Sequence, residues 1–429
     1  MLLNDYLNKL KKTSLKELNK PWVKSDLLNK GFIDNIFPDE KTEEWKNFNL
    51  NPFLEKKWKL SKLENNSKLI NEDLSHANLL VFNNGVLNKE STKIADKEKV
   101  KIYNLKDYYN NHKNNINKIY TNSNKYAEER ISGVIDDKAT NLLSLNTILN
   151  NGIVIEILED SKVNSEICLY NQILTDETII NPYILIIANE NTKASFLDLT
   201  AYMKDNSWTN VFYEIYLEKN SKIKISNLSL NQYMNLNTSS YNFHLEQNST
   251  LEFSSINKGN SKKDIRVFLN GENSKADIKG MLLSKQRESN DVFCKVIHNS
   301  MKTNSKQDWR MISADSSKTS LNGKIKILKG SKESSGSFFS KSLLLNQKAK
   351  AFSKPELEIF EDQVSCSHGS SFGEIEKDKV FYLQSRGVSK QEAIKILVLA
   401  FISELDFRNK TISENIINEM TQVFLEEKI

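Results

Sequence analysis

The sequence contains few of the residues that mark several protein classes. It has 13 Gly and 5 Pro among 429 residues, whereas Gly alone usually makes up roughly 7% of a chain. Collagen-like, proline-rich and glycine-rich linker proteins are therefore excluded. The three cysteines, Cys168, Cys294 and Cys366, are widely spaced and odd in number. A disulfide framework is not expected, and a reducing compartment fits better.

Long hydrophobic runs are also missing. The apolar stretch ILVLAFI at 396–402 is far shorter than the roughly 20 residues that span a bilayer. The N-terminal sequence MLLNDYLNKLKKTSLKELNK is amphipathic and lacks the apolar core and cleavage site of a secretory signal. The net charge is only +5, and the lysines alternate along strand-like segments, which is typical of a solvated face. We expect a cytoplasmic protein that binds neither membranes nor nucleic acid.

Hydrophobic periodicity divides the chain into three predicted domains. Residues 1–130 form a mostly helical (α/β) domain, because apolar spacing near the helical period runs through the first 60 residues. Residues 131–385 form a β core, because the period changes to two from about residue 150. Residues 386–429 form a helical hairpin, whose two helices begin at the capping boxes of Ser389 and Thr411.

A recurring phrase runs through the β core. It reads NTKASFLDL at 191, NSKIKISNL at 220, NSTLEFSSI at 248 and NSKADIKGM at 273. A strand-only repeat of this length fits either one coil of a β-helix or a pair of hairpins in a sandwich. Asn tolerates the left-handed backbone conformation, so it can take the place of glycine at each corner of a coil. The alternative is that a chain rich in Asn and Lys repeats this phrase by composition alone.

One segment combines two potential metal ligands. In VSCSHGSSFGEI, residues 364–375, Cys366 and His368 are two residues apart and would share a face of an extended strand. This spacing is compatible with two ligands of one metal, but a closed zinc or iron-sulfur site needs about four. Either another chain completes the site or no metal binds. In the second case Cys366 is a small buried hydrophobe and His368 a hydrogen-bonded histidine at a strand end.

Other candidate sites are weaker. Cys168 and Cys294 lie in alternating segments and are predicted to belong to the strand core. His298 follows Cys294 by four residues, so this is the second-best ligand pair. The chain contains no GxxxxGK[ST], GxGxxG or HExxH motif, so nucleotide hydrolysis and zinc proteolysis find no support.

The segment KPELEIFEDQVSCSHGSSFGEIEKDKVFYLQSRG, residues 354–387, closely resembles the SufB/SufD family of iron-sulfur cluster assembly scaffold proteins. The family pattern there is KPxLEIxxDxVxCSHGxxxGxxxxxxxFYLxxRG. LLSLNTILNNGIVIEI (142–157) and TEEWKNFNL (42–50) are similar to two further family segments. The chain resembles SufD rather than SufB, because it reads CSHGSS where SufB chains resemble EHEATT and has Leu383 where they carry Cys. It departs from the family at 333–346, where Ser and Phe replace a Gln-rich stretch, and at Leu321.

The resemblance implies a right-handed parallel β-helix core with N-terminal and C-terminal helical domains. It also implies a non-catalytic scaffold that pairs with a SufB-like subunit and docks a SufC-like ABC-type ATPase. An iron-sulfur cluster would form transiently at the shared interface, with His368 as a ligand from this side and Cys366 as an accessory ligand. Leu399 and Phe401 in the C-terminal hairpin are candidates for ATPase docking. Reduced flavin is a further candidate component of the complex, and the isolated chain could pair with itself.

Two other functions compete with this interpretation. A β-helix polysaccharide lyase or hydrolase would need clustered carboxylates on one coil face and usually a secretion signal, and neither is evident. A homodimeric structural β-helix, in which the CSHG phrase is only a turn, is the second alternative.

Overall fold

The computed structural model describes residues 38, 41–60, 76–112, 146, 152–230 and 234–405. Within these ranges the chain is mainly β and forms a parallel β-solenoid of about 8 turns. The predicted β-helix is therefore confirmed, and the repeated phrase belongs to coils rather than to a sandwich. The helices predicted before residue 38 and the helix predicted to begin at Thr411 lie outside the described residues.

Two strands make up most coils of the solenoid, one from each of two sheets. The strands are β1 (Lys59–Leu60), β2 (Asn78–Asn83), β3 (Val86–Ile94), β4 (Val100–Asn104), β5 (Ile153–Ile157), β6 (Ile167–Ile173), β7 (Thr178–Ile180), β8 (Tyr183–Ala188), β9 (Lys193–Tyr202), β10 (Trp208–Leu217), β11 (Lys222–Leu230), β12 (Leu236–Leu245), β13 (Thr250–Lys258), β14 (Ser261–Leu269), β15 (Lys275–Ser284), β16 (Ser289–His298), β17 (Asn304–Ser313), β18 (Lys318–Ile327), β19 (Ser334–Leu344), β20 (Lys350–Ile359) and β21 (Val364–Glu374). The helices are a 3-10 turn (Glu43–Trp45), α1 (Asn51–Leu54), α2 (Leu105–Asn111), α3 (Lys377–Ser385) and α4 (Lys390–Ser403).

The first sheet contains β4, β5 and the even-numbered strands from β8 to β20, with β1 and β7 attached beside them. The second sheet contains β3, β2, β6 and the odd-numbered strands from β9 to β21. Neighbouring strands are parallel, except that β2 pairs with β3 and β4 with β5 in antiparallel fashion at the N-terminal end. At the other end, no strand of the described chain pairs with the outer edges of β20 and β21.

The asparagines that precede the repeated strands form the corners of successive coils. Asn191, Asn220, Asn248 and Asn273 have φ values of 58°, 59°, 58° and 66°, which confirms the predicted left-handed conformation. Their side chains also form a ladder along the solenoid. The Asn220 amide donates to Asn191 Oδ1 at 2.8 Å, Asn248 donates to Asn220 at 3.0 Å, and Asn273 donates to Asn248 at 3.2 Å. Each corner is thus held by backbone conformation and by its neighbours.

We expect Asn220→Ala to lower the free energy of unfolding by about 1–2 kcal/mol. Alanine is less favourable than asparagine in the left-handed conformation because it has no side-chain amide to form local hydrogen bonds, and the substitution also removes two hydrogen bonds of the ladder. Asn220→Gly keeps the backbone conformation accessible and should cost about half as much. Urea unfolding of both variants measures the difference. Equal losses for the two variants would mean that the left-handed conformation contributes nothing.

Two segments cover the outer faces of the solenoid. Helix α4 packs on the second sheet through Val398 and Ile402, which join a cluster of buried residues that includes Ile256. Its predicted cap is confirmed, since Ser389 Oγ accepts a hydrogen bond from the Glu392 backbone N–H at 3.2 Å. No helix in the described part of the chain has the length and apolar character needed to cross a bilayer.

Residues 41–60 lie across the first sheet. Lys354 of β20 donates to Glu43 at 2.6 Å, and Asn47 donates to Ser320 of β18 at 3.0 Å. Further along the segment, the rings of Trp58 and Trp208 meet edge to face at 5.8 Å. The segment therefore connects the last coil with coils near the N-terminal end.

Candidate functional site

The CSHG phrase lies in β21, the last strand of the second sheet. β21 pairs with β19 in parallel register, which places Cys366 beside Gly336 and His368 beside Phe338. Side chains of register partners point to the same side of a sheet. Because Phe338 is fully buried in the lumen, Cys366 and His368 both belong to the lumen side of the terminal coil. The structure thus brings the two predicted ligands onto one face.

The two side chains differ in their surroundings. Cys366 is half-buried and packs against the hydrophobic core of the lumen. Burial raises the pKa of its thiol, and a hydrogen bond from the Gly336 backbone offsets part of this effect. His368 is exposed, because no further coil of the described chain covers it. The imidazole is therefore the more accessible donor, and the thiol must lose its proton before it can bind a metal.

The pair is incomplete as a metal site. Among the residues that the structure describes, no group of three or more His, Cys, Asp or Glu side chains could hold a metal ion. A cluster bound here would need ligands from outside these residues.

The second-best pair is structural. Cys294 and His298 both lie in β16 and are fully buried. His298 Nδ1 lies 2.7 Å from Thr303 Oγ1, and Nε2 lies 2.9 Å from Ser305 Oγ. Both ring nitrogens are therefore engaged. Cys168 is also buried, which confirms the strand-core predictions for both cysteines, and burial raises its pKa to about 12.

His298 should make stability depend on pH. Burial lowers its pKa to about 4 from the ordinary 6.5. Between these values the unfolded chain binds a proton that the folded chain does not, so stability falls as the pH is lowered from 6.5 to 4. We expect a loss of about 3 kcal/mol over this window. Urea unfolding at pH 7, 5.5 and 4.5 should show a shallower decline for His298→Gln than for the wild type, whereas parallel curves would contradict the assignment.

The two predicted docking residues occupy different positions on α4. Phe401 packs against the hydrophobic cluster on the second sheet, and the Arg310 guanidinium lies 5.8 Å from its ring centre. Leu399 is half-buried. Ile396 is 40% exposed and was not singled out from the sequence. The outward side of α4 therefore includes Ile396, while Phe401 holds the helix on the solenoid.

Sequence reasoning also missed exposed aromatic residues beside the terminal coil. In α3, Phe381 and Tyr382 are 72% and 58% exposed, although they belong to the FYL phrase of the family resemblance. Phe360, after β20, and Phe372, in β21, are 58% and 53% exposed. Exposed aromatic side chains thus lie at the end of β20, in β21 and in the helix that follows β21.

Comparison with known proteins agrees with this architecture. The family model for the SufBD core domain of SUF system FeS cluster assembly matches residues 171–401. The iron-sulfur cluster assembly protein SufD of Escherichia coli is 35% identical over 137 residues, which cover 32% of each chain. The chloroplastic protein ABCI7 of Arabidopsis thaliana is 24% identical over 56% of this chain and 52% of its own length. An iron-sulfur cluster assembly SufBD family protein of Synechocystis is 23% identical over 67% of both chains.

The family model covers more than half of the chain. The chain therefore belongs to the SufB/SufD family of SUF system iron-sulfur cluster assembly proteins, as a member of the SufD type. Its matched segments span about a third of the E. coli relative and about half of the Arabidopsis relative.

Proposed function

We propose that this chain is a non-catalytic scaffold subunit for iron-sulfur cluster assembly, and that it supplies part of a cluster site. The observation that carries this proposal is the placement of Cys366 and His368 on one face of the terminal coil, without further ligands among the described residues. His368 acts as a ligand through an exposed imidazole nitrogen, and Cys366 is accessory because burial raises its pKa. The cluster is transient cargo.

A SufB-like subunit completes the site. The unpaired edges of β20 and β21 offer backbone hydrogen-bonding groups to another strand, and the exposed Phe360 and Phe372 offer apolar surface beside them. A strand edge of this kind also allows the isolated chain to pair with a second copy. The paired subunits would work in the cytoplasm.

A SufC-like ABC-type ATPase docks on the C-terminal unit, residues 386–429. The proposed surface includes Leu399 and Ile396, while Phe401 positions α4 on the solenoid. ATP binding by this partner would shift the scaffold towards a conformation that exposes the shared site. Reduced flavin belongs to the same proposal as a component of the complex. Residues 1–130 form the N-terminal unit of the scaffold, whose strands β2, β3 and β4 extend the two sheets of the core, residues 131–385.

Co-expression with a SufB-like and a SufC-like chain from the same source tests the proposal. We expect both partners to co-elute in an affinity pull-down and the anaerobic eluate to absorb in the thiolate-to-iron region. His368→Ala should reduce this absorbance several-fold without changing the co-elution. Ser367→Ala alters the adjacent exposed residue of the same strand and should leave the absorbance unchanged.

Three outcomes would contradict parts of the proposal. Full absorbance in His368→Ala would exclude the ligand role while leaving the scaffold role intact. Co-elution of a colourless complex would exclude a cluster site at this interface. Recovery of the chain alone and colourless would favour the homodimeric structural β-helix.

A further inference from the structure

In the coils that contain β9, β11 and β13, the lumen of the solenoid has an apolar part and a polar part. Inward residues are apolar near the start of these three strands, as Phe196, Ile225 and Phe253 are. Two residues further on, and therefore on the same side, the inward positions become polar. These positions are Asp198 in β9, Asn227 in β11 and Ser255 in β13. Polar groups inside a solenoid are costly unless they are hydrogen-bonded.

A charged network occupies the polar part. Lys263 of β14 is 1% exposed, and its ammonium group donates to Asn227 Oδ1 and, at 2.7 Å, to Ser255 Oγ. Asp198 accepts hydrogen bonds from the Asn227 amide at 2.9 Å and from the Tyr241 hydroxyl at 2.8 Å. Asn227 thus connects the cation with the carboxylate. Burial lowers the pKa of Lys263 to about 7, and the Asp198 carboxylate opposes this shift.

A small internal cavity adjoins this network. Lys263, Asn237, Ser239 and Tyr241 are among the residues that line it. Its free space is close to that of one water molecule. Asn237 Oδ1 and Ser239 Oγ are buried and have no hydrogen-bond partner among the residues that the structure describes. The ammonium of Lys263 donates two hydrogen bonds, which leaves its third N–H for another acceptor.

The unsatisfied polar groups determine which molecule or ion can occupy the cavity. Asn237 Oδ1 needs a donor, the Lys263 N–H needs an acceptor, and the Ser239 hydroxyl can serve either role. A halide ion only accepts and would face the amide oxygen. An apolar gas would leave all three groups unpaired. Water both donates and accepts, so it also satisfies the site if the Asn237 amide is turned by 180°.

We propose that this cavity is a binding site for one ordered water molecule, held by Asn237, Ser239 and Lys263. The water solvates the buried ammonium group in place of bulk solvent. Because Asn237 and Ser239 lie in β12 and Lys263 lies in β14, the same molecule connects two successive coils.

Diffraction from crystals of the full chain grown with bromide tests the assignment. We expect a peak within hydrogen-bonding distance of Asn237 Oδ1 and Ser239 Oγ that has no anomalous signal at the bromine edge. An anomalous peak would overturn the proposal in favour of an anion site. An empty cavity would overturn it in favour of a dry core.

A variant pair gives an independent measurement in solution. Ser239→Ala removes one partner of the water and should lower the folding equilibrium constant about five-fold. Ser240→Ala changes the next residue of β12, whose side chain points to the opposite face, and should leave the constant within about two-fold. Equal effects of the two variants would overturn the water-binding role of Ser239.

Discussion

Lys263→Met is expected to lower the free energy of unfolding by about 3 kcal/mol, because it leaves the buried Asp198 carboxylate without a cation. Methionine preserves most of the side-chain length, so the expected loss comes from charge and hydrogen bonding rather than from a cavity. The bonds from Lys263 to Asn227 and Ser255 are lost as well. Urea unfolding at pH 6 is the appropriate measurement, since the pKa of Lys263 is about 7 and the amine is then largely protonated.

The double variant Asp198→Asn with Lys263→Met is the matched control. It removes both charges, and asparagine can still accept from Tyr241 and Asn227. We expect it to recover a large part of the stability lost in the single variant, because the uncompensated charge is gone. If the double variant were less stable than Lys263→Met, hydrogen bonding rather than charge would dominate this network.

Gly323→Ala is expected to cost about 3 kcal/mol through overpacking of the lumen. A Cβ at Gly323 would lie 1.8 Å from Cε2 and 2.2 Å from Cδ2 of the Phe338 ring. Phe338 is fully buried and reaches from the second sheet to Gly323 in the first. Neither the ring nor the strand can move without disturbing neighbouring coils, since interiors are close-packed.

Gly373→Ala is the corresponding control in the terminal strand. The nearest atom to its added Cβ would be the Ser342 carbonyl oxygen at 3.9 Å, which is an ordinary contact. The unfolding midpoint of this variant should therefore stay close to that of the wild type. If Gly323→Ala were as stable as Gly373→Ala, the lumen around Phe338 would be looser than its geometry indicates.

Several features could be predicted because they depend on local chemistry. Asn220 and its equivalents were expected at corners, since Asn tolerates positive φ, and all four adopt it. The cap at Ser389 followed from the capping-box pattern. Spacing by two residues was enough to place Cys366 and His368 on one face.

Other features depend on which strands meet. The alternation of apolar and polar residues in the core fits a sandwich as well as a solenoid. Such a pattern predicts a strand, but it does not show which other strand will accept and donate its backbone hydrogen bonds. In the structure, most core strands pair in parallel with the strand two positions before or after them in the sequence, and this arrangement is that of a solenoid. Within the described residues, the open edges of β20 and β21 follow from this pairing, and so does the exposure of His368 beside them.

The environment of Lys263 could not be predicted from the sequence for the same reason. Lysines in alternating segments were interpreted as a solvated face, and adjacent Lys262 and Lys263 carry no signal that tells them apart. Strand alternation sends them to opposite sides, and Lys263 reaches across the lumen to Asn227 of β11 and Ser255 of β13 in the facing sheet. The sequence by itself determined the family, the strand period and the corners, because these depend on residues close together in the chain. The tertiary structure decided the lumen network and the surroundings of Cys366 and His368 at the terminal coil, because these depend on residues from different coils.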